Sequence, residues 1–489
     1  MKHIDSIQKI VSETMSAWGV PGAGVSVFMD GESFSRGFGL QEAGSAAAVD
    51  TDTVFAIGST TKAFTALAMG MLVDEGKLTW DDPVRKHLPW FKLADPWVTE
   101  HVTIRDLLCH RLGLERAQRI YYHGGYDQRA LIERMRYLKT EREFRTSFAY
   151  SNQNFGTAGL IIEAVSGTSW DDFITARIFR PLGMTRTGAG WNVVSGWPNL
   201  ASPHAVLEDS LPAGVRMLGS PGPVARYDLS HEPAGSIHSS AADLARWVAF
   251  LAGGGSPLVK PETFAELITP QNVMHDMAES ELAPLWYLQP GTNFWTYGLG
   301  WWALDYRGEK IVMHGGQMPG FNAMVAFLPG RKAGFAVTVN VHQTLSHAAL
   351  FYALADIIIG GEPTRDWSAQ FSQVARGYMA EVGAAEAQAK AALPPDPRPA
   401  RPLVAYTGTF SNDLFGSLVT RLSGERLELS YGQYRGSLES LGGDRFMIRW
   451  DYAGIIEDCA VTYGNGDGTK AGSILLERDR ASYLRTQDK

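Results

Sequence analysis

The chain has 489 residues, of which 45% are hydrophobic and 20% are charged, and its formal net charge at pH 7 is −8. This length allows about two or three domains, and the composition is ordinary for a globular enzyme. The negative charge and the lack of dense Lys/Arg runs argue against nucleic acid or an anionic membrane surface as a partner. The two cysteines, Cys109 and Cys459, provide no disulfide framework and cannot form a cysteine-based metal site.

The first residues form an amphipathic helical pattern, in which apolar residues from Ile4 to Trp18 recur at helical spacing. A secretory signal would need an unbroken apolar segment, which is missing here. The longest apolar stretch, Ala63–Val73, is too short to span a bilayer. We therefore expect no membrane span and a cytoplasmic protein. If a leader had been trimmed from this sequence, the expected location would be the periplasm instead.

Strand patterns occur at both ends of a long first region. Residues 22–39 alternate apolar and polar side chains around Asp30-Gly31, a dipeptide typical of tight hairpins. Residues 79 to 290 are mainly helical and loop-rich, strand patterns return between 294 and 342, and a helix is predicted over Ser346–Gly360. Because strands from both ends would meet in one sheet with helices between them, the predicted fold class is α+β.

An Ala-rich helical stretch followed by a Pro-rich spacer, Ala380–Pro402, marks a domain boundary. After it, short strand patterns separated by glycines predict a small antiparallel barrel or sandwich. We therefore predict a first domain over residues 1–365, a helical and Pro-rich linker over 366–402, and a barrel-like domain over 403–489.

The segment "GSTTKAFTALAM" places Ser59 and Lys62 three residues apart, so they share one face of a helix. A serine cap followed by a solvated lysine is the ordinary interpretation of such a pair. Here the flanking residues are apolar, and a lysine held in a dry site loses its charge more readily and can accept a proton. Gly58 also permits the close backbone approach that an oxyanion hole requires.

Two further segments carry candidate site residues. In "FAYSNQNFG", Tyr150 and Asn152 precede another apolar helix, where a half-buried aromatic and a helix cap are the ordinary interpretations. In "KIVMHGG", His314 ends a strand pattern, and Gly315-Gly316 would let a backbone or a substrate lie beside that strand. Taken alone, such a histidine is usually structural.

Taken together, S-x-x-K, Y-S-N and H-G-G occur in the order found in serine β-lactamases and penicillin-binding proteins. Stretches such as "VTIRDLLCHRLGL", "IFRPLGMTRTG" and "HGGQMPGF" resemble the class C β-lactamase-like family, over about residues 5–360. The resemblance implies a β-lactamase/transpeptidase-like fold, with an antiparallel sheet flanked by helices plus an all-helical subdomain. Residues 403–489 resemble the lipocalin-like domain that follows the catalytic domain in some of these peptidases.

The resemblance implies that Ser59 is the nucleophile and that Lys62 and Tyr150 move its proton. Which of the two takes the first proton is left open by the sequence. The oxyanion would lie between the backbone N–H groups of Ser59 and Gln317, beside Gly316.

The family also implies that Asn152 orients the substrate amide. His314 departs from the family pattern, because β-lactamases and D-Ala-D-Ala carboxypeptidases usually have lysine there. A histidine is mostly neutral at pH 7, so as a catalytic-site residue His314 suits a weaker anchor or a hydrogen-bonding role. H-G-G resembles D-aminopeptidases, related peptidases of family S12 type and esterases, which disfavours penicillin hydrolysis.

We therefore predict a serine hydrolase that acts through an acyl-enzyme on small peptides or amides, D-residue substrates included, or on esters. Acyl transfer or peptide cyclisation, β-lactamase activity and a non-catalytic penicillin-binding protein are the alternatives. No cofactor is expected, and "HEPAG" at His231 is not the zinc motif H-E-x-x-H. The expected partner is a small molecule or a short peptide, with pocket walls from loops 118–127 and 206–232, and the sequence does not indicate an oligomeric state.

Overall fold

The computed structural model describes residues 1–123, 125–206, 212, 214–218, 232–274, 292–451, 456, 458–464, 466, 470–477 and 481–486. These residues form two compact units. One contains Met1–Arg116, Lys139–Met217 and the described residues from Glu232 to Ala380, and the other contains Ala117–Leu138 and the described residues from Glu381 onward. The domain boundaries at residues 365 and 402 stay a prediction.

The strands of the described residues are β1 Gly22–Met29, β2 Glu32–Gly39, β3 Val54–Ala56, β4 Gly188–Ala189, β5 His204–Val206, β6 Val215–Met217, β7 Ile237–Ser240, β8 Asn272–Val273, β9 Trp295–Tyr297, β10 Trp302–Tyr306, β11 Glu309–Met318, β12 Phe321–Leu328, β13 Ala333–Val339, β14 Gly408–Asn412, β15 Gly416–Ser423, β16 Arg426–Tyr431, β17 Tyr434–Gly442, β18 Arg445–Trp450, β19 Cys459–Gly464, β20 Ser473–Leu476 and β21 Ala481–Arg485.

The α-helices of the same residues are α1 Ile4–Trp18, α2 Thr61–Asp74, α3 Val84–His87, α4 Pro96–His101, α5 Ile104–Leu108, α6 Gln128–Glu133, α7 Asn152–Ser166, α8 Trp170–Ile174, α9 Trp191–Val194, α10 Glu232–Gly235, α11 Ala241–Ala252, α12 Pro261–Leu267, α13 Ser346–Gly360 and α14 Trp367–Ala391. Short 3-10 helices cover Gly58–Thr60, Gln118–His123, Arg134–Tyr137, Pro329–Arg331 and Leu403–Tyr406, and Thr175–Phe179 is a π-helical turn. In this part of the chain, the structure contains no helix with both the length and the apolar character needed to span a membrane.

The main sheet of the first unit has the order β2-β1-β13-β12-β11-β10-β9-β8 and is antiparallel throughout. Strand β1 pairs with β13, with Val25 opposite Val337, so strands from the two ends of the unit lie side by side in one sheet, near its β2 edge. At the β1–β2 hairpin, Asp30 and Gly31 have φ of 53° and 79°, the left-handed conformation that this turn requires. The predictions of α+β class, of this hairpin and of an antiparallel sheet flanked by helices are confirmed.

Helices cover both faces of the main sheet. On β13, a Cβ added to Gly334 would lie 2.9 Å from the side chain of Val248 in α11. The next residue, Phe335, points to the other face, where its ring centre lies 5.5 Å from that of Phe351 in α13. Strands β12 and β13 are therefore buried along their whole length. This explains their nearly continuous apolar sequences.

The barrel of the second unit is closed, with β14 to β21 in sequential order. Its interior is filled by aromatic side chains, and Tyr463 contacts the rings of Tyr406, Phe410 and Phe446 at centroid distances of 5.0, 5.8 and 5.7 Å. The predicted small antiparallel barrel is confirmed. Within the same unit, Tyr431 OH donates a hydrogen bond to the carbonyl oxygen of Arg119, which joins segment 117–138 to the barrel.

Candidate active site

The nucleophile candidate lies at the entry to a helix that has no solvent-exposed face along most of its length. Ser59 is in the 3-10 turn before α2 and is partly exposed, whereas every residue of α2 from Thr61 to Leu72 is buried. Lys62 is 0% exposed. The sequence-based expectation that its helix offers the lysine no polar face is correct.

Three neutral groups contact the Lys62 amine. Its Nζ lies 3.0 Å from Ser59 Oγ, 2.8 Å from Asn152 Oδ1 and 2.8 Å from the carbonyl oxygen of Ala234 in α10. None of these partners carries a charge that would favour the ammonium form. The side chain of Asn152, the first residue of α7, is thus directed at the lysine.

Burial lowers the pKa of Lys62 well below its ordinary value of 10.5, and the positive charge of Arg116 lowers it further. A neutral amine has two N–H donors and one lone pair. Asn152 Oδ1 and the Ala234 carbonyl can only accept, so they take both N–H bonds. The lone pair then faces Ser59 Oγ, in the position of a general base.

Tyr150 approaches the same hydroxyl from a different element. Its OH donates a hydrogen bond of 2.9 Å to Ser59 Oγ, and Lys62 Nζ lies 4.9 Å from the centre of the phenol ring. Tyr150 immediately precedes Ser151, the N-cap of α7, so the start of this helix presents Tyr150 and Asn152 together. The structure therefore brings together four of the seven predicted site residues at one point: Ser59, Lys62, Tyr150 and Asn152.

Strand β11 passes very close to the turn that carries Ser59. A Cβ added to Gly316 would lie 1.8 Å from the Ile57 carbonyl oxygen and 3.0 Å from the Ser59 nitrogen. A Cβ added to Gly58, whose φ is +52°, would lie 2.6 Å from the Gln317 nitrogen. Only glycine fits either position. This places the backbones of Ser59 and Gln317 side by side, as an oxyanion hole built from their N–H groups requires.

His314 lies behind this segment and is 2% exposed. Its Nδ1 is 2.6 Å from the Gly315 carbonyl oxygen, which can only accept, so Nδ1 carries the hydrogen. Its Nε2 then accepts from Tyr297 OH at 2.9 Å. Burial is the main cause that lowers the pKa of His314, to about 3. The ring is therefore neutral, and both of its nitrogens are bonded to protein groups.

The sequence analysis did not identify three groups that contact the predicted site residues. The Ala234 carbonyl could not be found from the sequence, since any residue supplies such a group. Tyr297 hydrogen-bonds to His314, and nothing in the sequence around it indicates this contact. His110, in the stretch "LLCHRLGL", is predicted from the sequence only as a structural turn residue, yet its ring centre lies 4.4 Å from that of Tyr150. Most of loop 206–232, His231 included, and Gly124 of loop 118–127 lie outside the described residues.

Comparisons with known proteins identify the family. The family model described as Beta-lactamase matches residues 7–358. Unguisins hydrolase ungD' of Aspergillus campestris (strain IBT 28561) is 29% identical in an alignment of 461 positions that covers 88% of this chain and 79% of that protein. Protein flp of Staphylococcus aureus (strain N315) is 27% identical in an alignment of 345 positions that covers 69% of this chain and 63% of that protein.

Solved structures share the fold. The octameric penicillin-binding protein homologue from Pyrococcus abyssi has a TM-score of 0.62 at 22% identity and covers 99% of this chain and 100% of its own. The D-amino acid amidase from Ochrobactrum anthropi SV3, complexed with L-phenylalanine amide, has a TM-score of 0.57 at 19% identity over 77% of this chain and 99% of its own. Because the family model matches well over half of the chain, the protein belongs to the Beta-lactamase family of serine hydrolases.

Proposed function

We propose that the protein hydrolyses small amides or peptides, D-residue substrates included, or small esters, through an acyl-enzyme on Ser59. One observation carries the proposal: Ser59 Oγ lies 3.0 Å from Lys62 Nζ and 2.9 Å from Tyr150 OH. A serine hydroxyl is a weak nucleophile until an adjacent base removes its proton. Here a base candidate and an acid candidate lie within hydrogen-bond distance of the same oxygen.

In the acylation step, Ser59 Oγ bonds to the substrate carbonyl carbon while its proton moves to the lone pair of Lys62. The oxyanion accepts hydrogen bonds from the N–H groups of Ser59 and Gln317, each worth about 3 kcal/mol in such sites. When the bond to the leaving amine or alcohol breaks, that group takes the proton of Tyr150. The hydrogen-bond directions at Lys62 favour this order, with the lysine as the first base.

In the deacylation step, water attacks the ester and gives one proton to the Tyr150 phenolate. Collapse of this second adduct releases the carboxylic acid, and Ser59 Oγ recovers the proton held by Lys62. All three side chains then return to their starting states. Lys62 is therefore the base and Tyr150 the acid in acylation, and the two residues exchange these roles in deacylation.

The neutral His314 bears on the substrate class. A lysine at this position would add a permanent cation that could hold a substrate carboxylate. A histidine whose pKa is lowered to about 3, and whose nitrogens bind Tyr297 and Gly315, supplies no such charge. We propose that His314 instead fixes the strand that carries Gln317. The names of the unguisins hydrolase and the D-amino acid amidase support hydrolysis and amide substrates.

The test combines a covalent probe with a substrate panel. We expect a fluorophosphonate probe to label the protein at Ser59, and S59A to lose this label. K62M should react far more slowly, because methionine fills a similar volume without a base. The panel contains L- and D-amino-acid p-nitroanilides, short-chain p-nitrophenyl esters and a cephalosporin reporter. Labelling of S59A, or turnover of the cephalosporin alone, would overturn the proposal.

Acyl transfer and peptide cyclisation use the same acyl-enzyme and differ only in the group that resolves it. Mass spectrometry of the products, with and without an added amine, separates these outcomes from hydrolysis. A stable acyl adduct without turnover would indicate the non-catalytic alternative. The cytoplasmic location stays a prediction.

A further inference from the structure

His110 holds the backbone on both sides of Tyr150. It follows α5 and is completely buried, with φ of 57° in the left-handed region. Its carbonyl oxygen accepts the N–H of Ala149 at 2.8 Å, and its ring Nδ1 accepts the N–H of Ser151 at 3.2 Å. One residue therefore binds the backbone N–H groups of both neighbours of the candidate proton donor.

The ring of His110 also packs on the phenol ring of Tyr150. The two ring centres are 4.4 Å apart with an interplanar angle of 37°, and Tyr297 and Phe155 pack on the imidazole at 5.0 and 5.2 Å. Burial is the main cause that lowers the pKa of His110 well below its ordinary value of 6.5. The imidazole is thus neutral and can act as an acceptor.

This arrangement carries two features that work against stability. Because Nδ1 accepts, the hydrogen of His110 is on Nε2, which is buried and has no hydrogen-bond partner among the residues that the structure describes. The left-handed backbone conformation is also unfavourable for most side chains. An apolar side chain would avoid the unpartnered N–H, but it would leave the Ser151 N–H without an acceptor. What the imidazole adds at this position is the acceptor beside Tyr150.

We propose that His110 is a positioning residue, which acts through the backbone around Tyr150 to hold the phenol 2.9 Å from Ser59 Oγ. It does not touch the reacting atoms. The proposal rests on the proposed function, because it assigns His110 a part in the same proton transfer. Displacement of a catalytic group by about 1 Å can slow a reaction by about 100-fold.

Two variants of the full-length protein, H110N and H110G, test the proposal. Asparagine and glycine both tolerate a positive φ, and both remove the ring that packs on Tyr150. Only asparagine keeps an acceptor, its Oδ1, near the position of Nδ1. The measurement is kcat/KM for the best substrate of the panel, whose leaving group takes the proton of Tyr150, with folding checked by circular dichroism. We expect H110G to react about 100-fold more slowly than the wild type and H110N to recover most of the rate.

The outcomes separate this proposal from the proposed function. If the wild type is not labelled at Ser59, the proposed function fails. If the wild type is labelled and folded H110N and H110G react at the same rate, the role of His110 is refuted.

If H110G does not fold, histidine ¹⁵N spectra of the wild type give the answer, with H110N identifying the resonance. We expect an Nε2–H tautomer that does not titrate between about pH 5 and pH 8, and an Nδ1–H tautomer or a titrating ring would overturn the proposal.

Discussion

The substitution N152D tests whether Lys62 acts as a neutral base. It places a carboxylate oxygen where the amide oxygen now lies, 2.8 Å from Lys62 Nζ. Coulomb's law for unit charges at this distance gives about 6 kcal/mol at an effective dielectric constant of about 20. This energy corresponds to about 4 pKa units. Desolvation of the new carboxylate offsets part of it, so we expect the pKa of Lys62 to rise by about 2 units.

The assay is the pH dependence of fluorophosphonate labelling at Ser59. Since the neutral amine is the active form, the wild-type rate rises as the pH rises through the lowered pKa of Lys62. In N152D this rise should move to higher pH. The control N152A removes the acceptor without adding a charge, so its rate should fall without an upward shift of the profile. A profile of N152D that superimposes on that of the wild type would refute the assignment of Lys62 as base.

Three further predictions concern the same unit. Y150F removes the O–H that donates to Ser59, and kcat/KM for the best substrate of the panel should fall by about 10²- to 10⁴-fold with an unchanged melting temperature, whereas a wild-type value would exclude Tyr150 from the reaction. G316A places a methyl group 1.8 Å from a carbonyl oxygen and should lower the free energy of unfolding in urea by about 1–3 kcal/mol or more. In the matched variant G315A, the added methyl group lies 3.1 Å from a flexible methionine sulfur, so the free energy of unfolding should change little. Equal losses of stability in G315A and G316A would contradict the close contact between Gly316 and the Ile57 carbonyl oxygen. The third prediction concerns the pH dependence of stability. The pKa of His314 is lowered to about 3 in the folded protein, whereas its ordinary value of 6.5 applies in the unfolded chain. The neutral His314 imidazole therefore contributes its full stabilisation above pH 6.5, and this contribution is lost as the pH falls toward 3. H314Q should reduce the pH dependence of unfolding free energy in this range by up to about 1.4 kcal/mol per pH unit, and an identical dependence would show that His314 is not held neutral.

Local sequence was sufficient to predict several helices and strands and to indicate the nucleophile candidate. Side-chain periodicity gave the helix Ile4–Trp18 and the hairpin at Asp30-Gly31, because such patterns depend only on neighbouring residues. The spacing of Ser59 and Lys62 within an apolar helix indicated a buried lysine, which is 0% exposed in the structure. The regular glycine-separated strands of the C-terminal region indicated the barrel for the same reason.

The sequence was less informative about residues whose role depends only on their contacts in the folded protein. His110 and Tyr297 are single aromatic residues whose types occur in any core, and only their partners give them a role. Segment 117–138 carries no pattern that associates it with the barrel, yet it belongs to the same compact unit.

The sequence by itself determined which chemistry the chain carries: a hydroxyl and an amine on one helical turn, a phenol before a second helix, and glycines on a late strand. Only the tertiary structure decided the pKa values of these groups and their hydrogen-bond partners. The Ala234 carbonyl takes an N–H of Lys62, and the turn at Ser59 meets a strand more than 250 positions away. The physical reason is that a pKa depends on burial and on contacts across the fold, and these contacts form only when distant segments pack together.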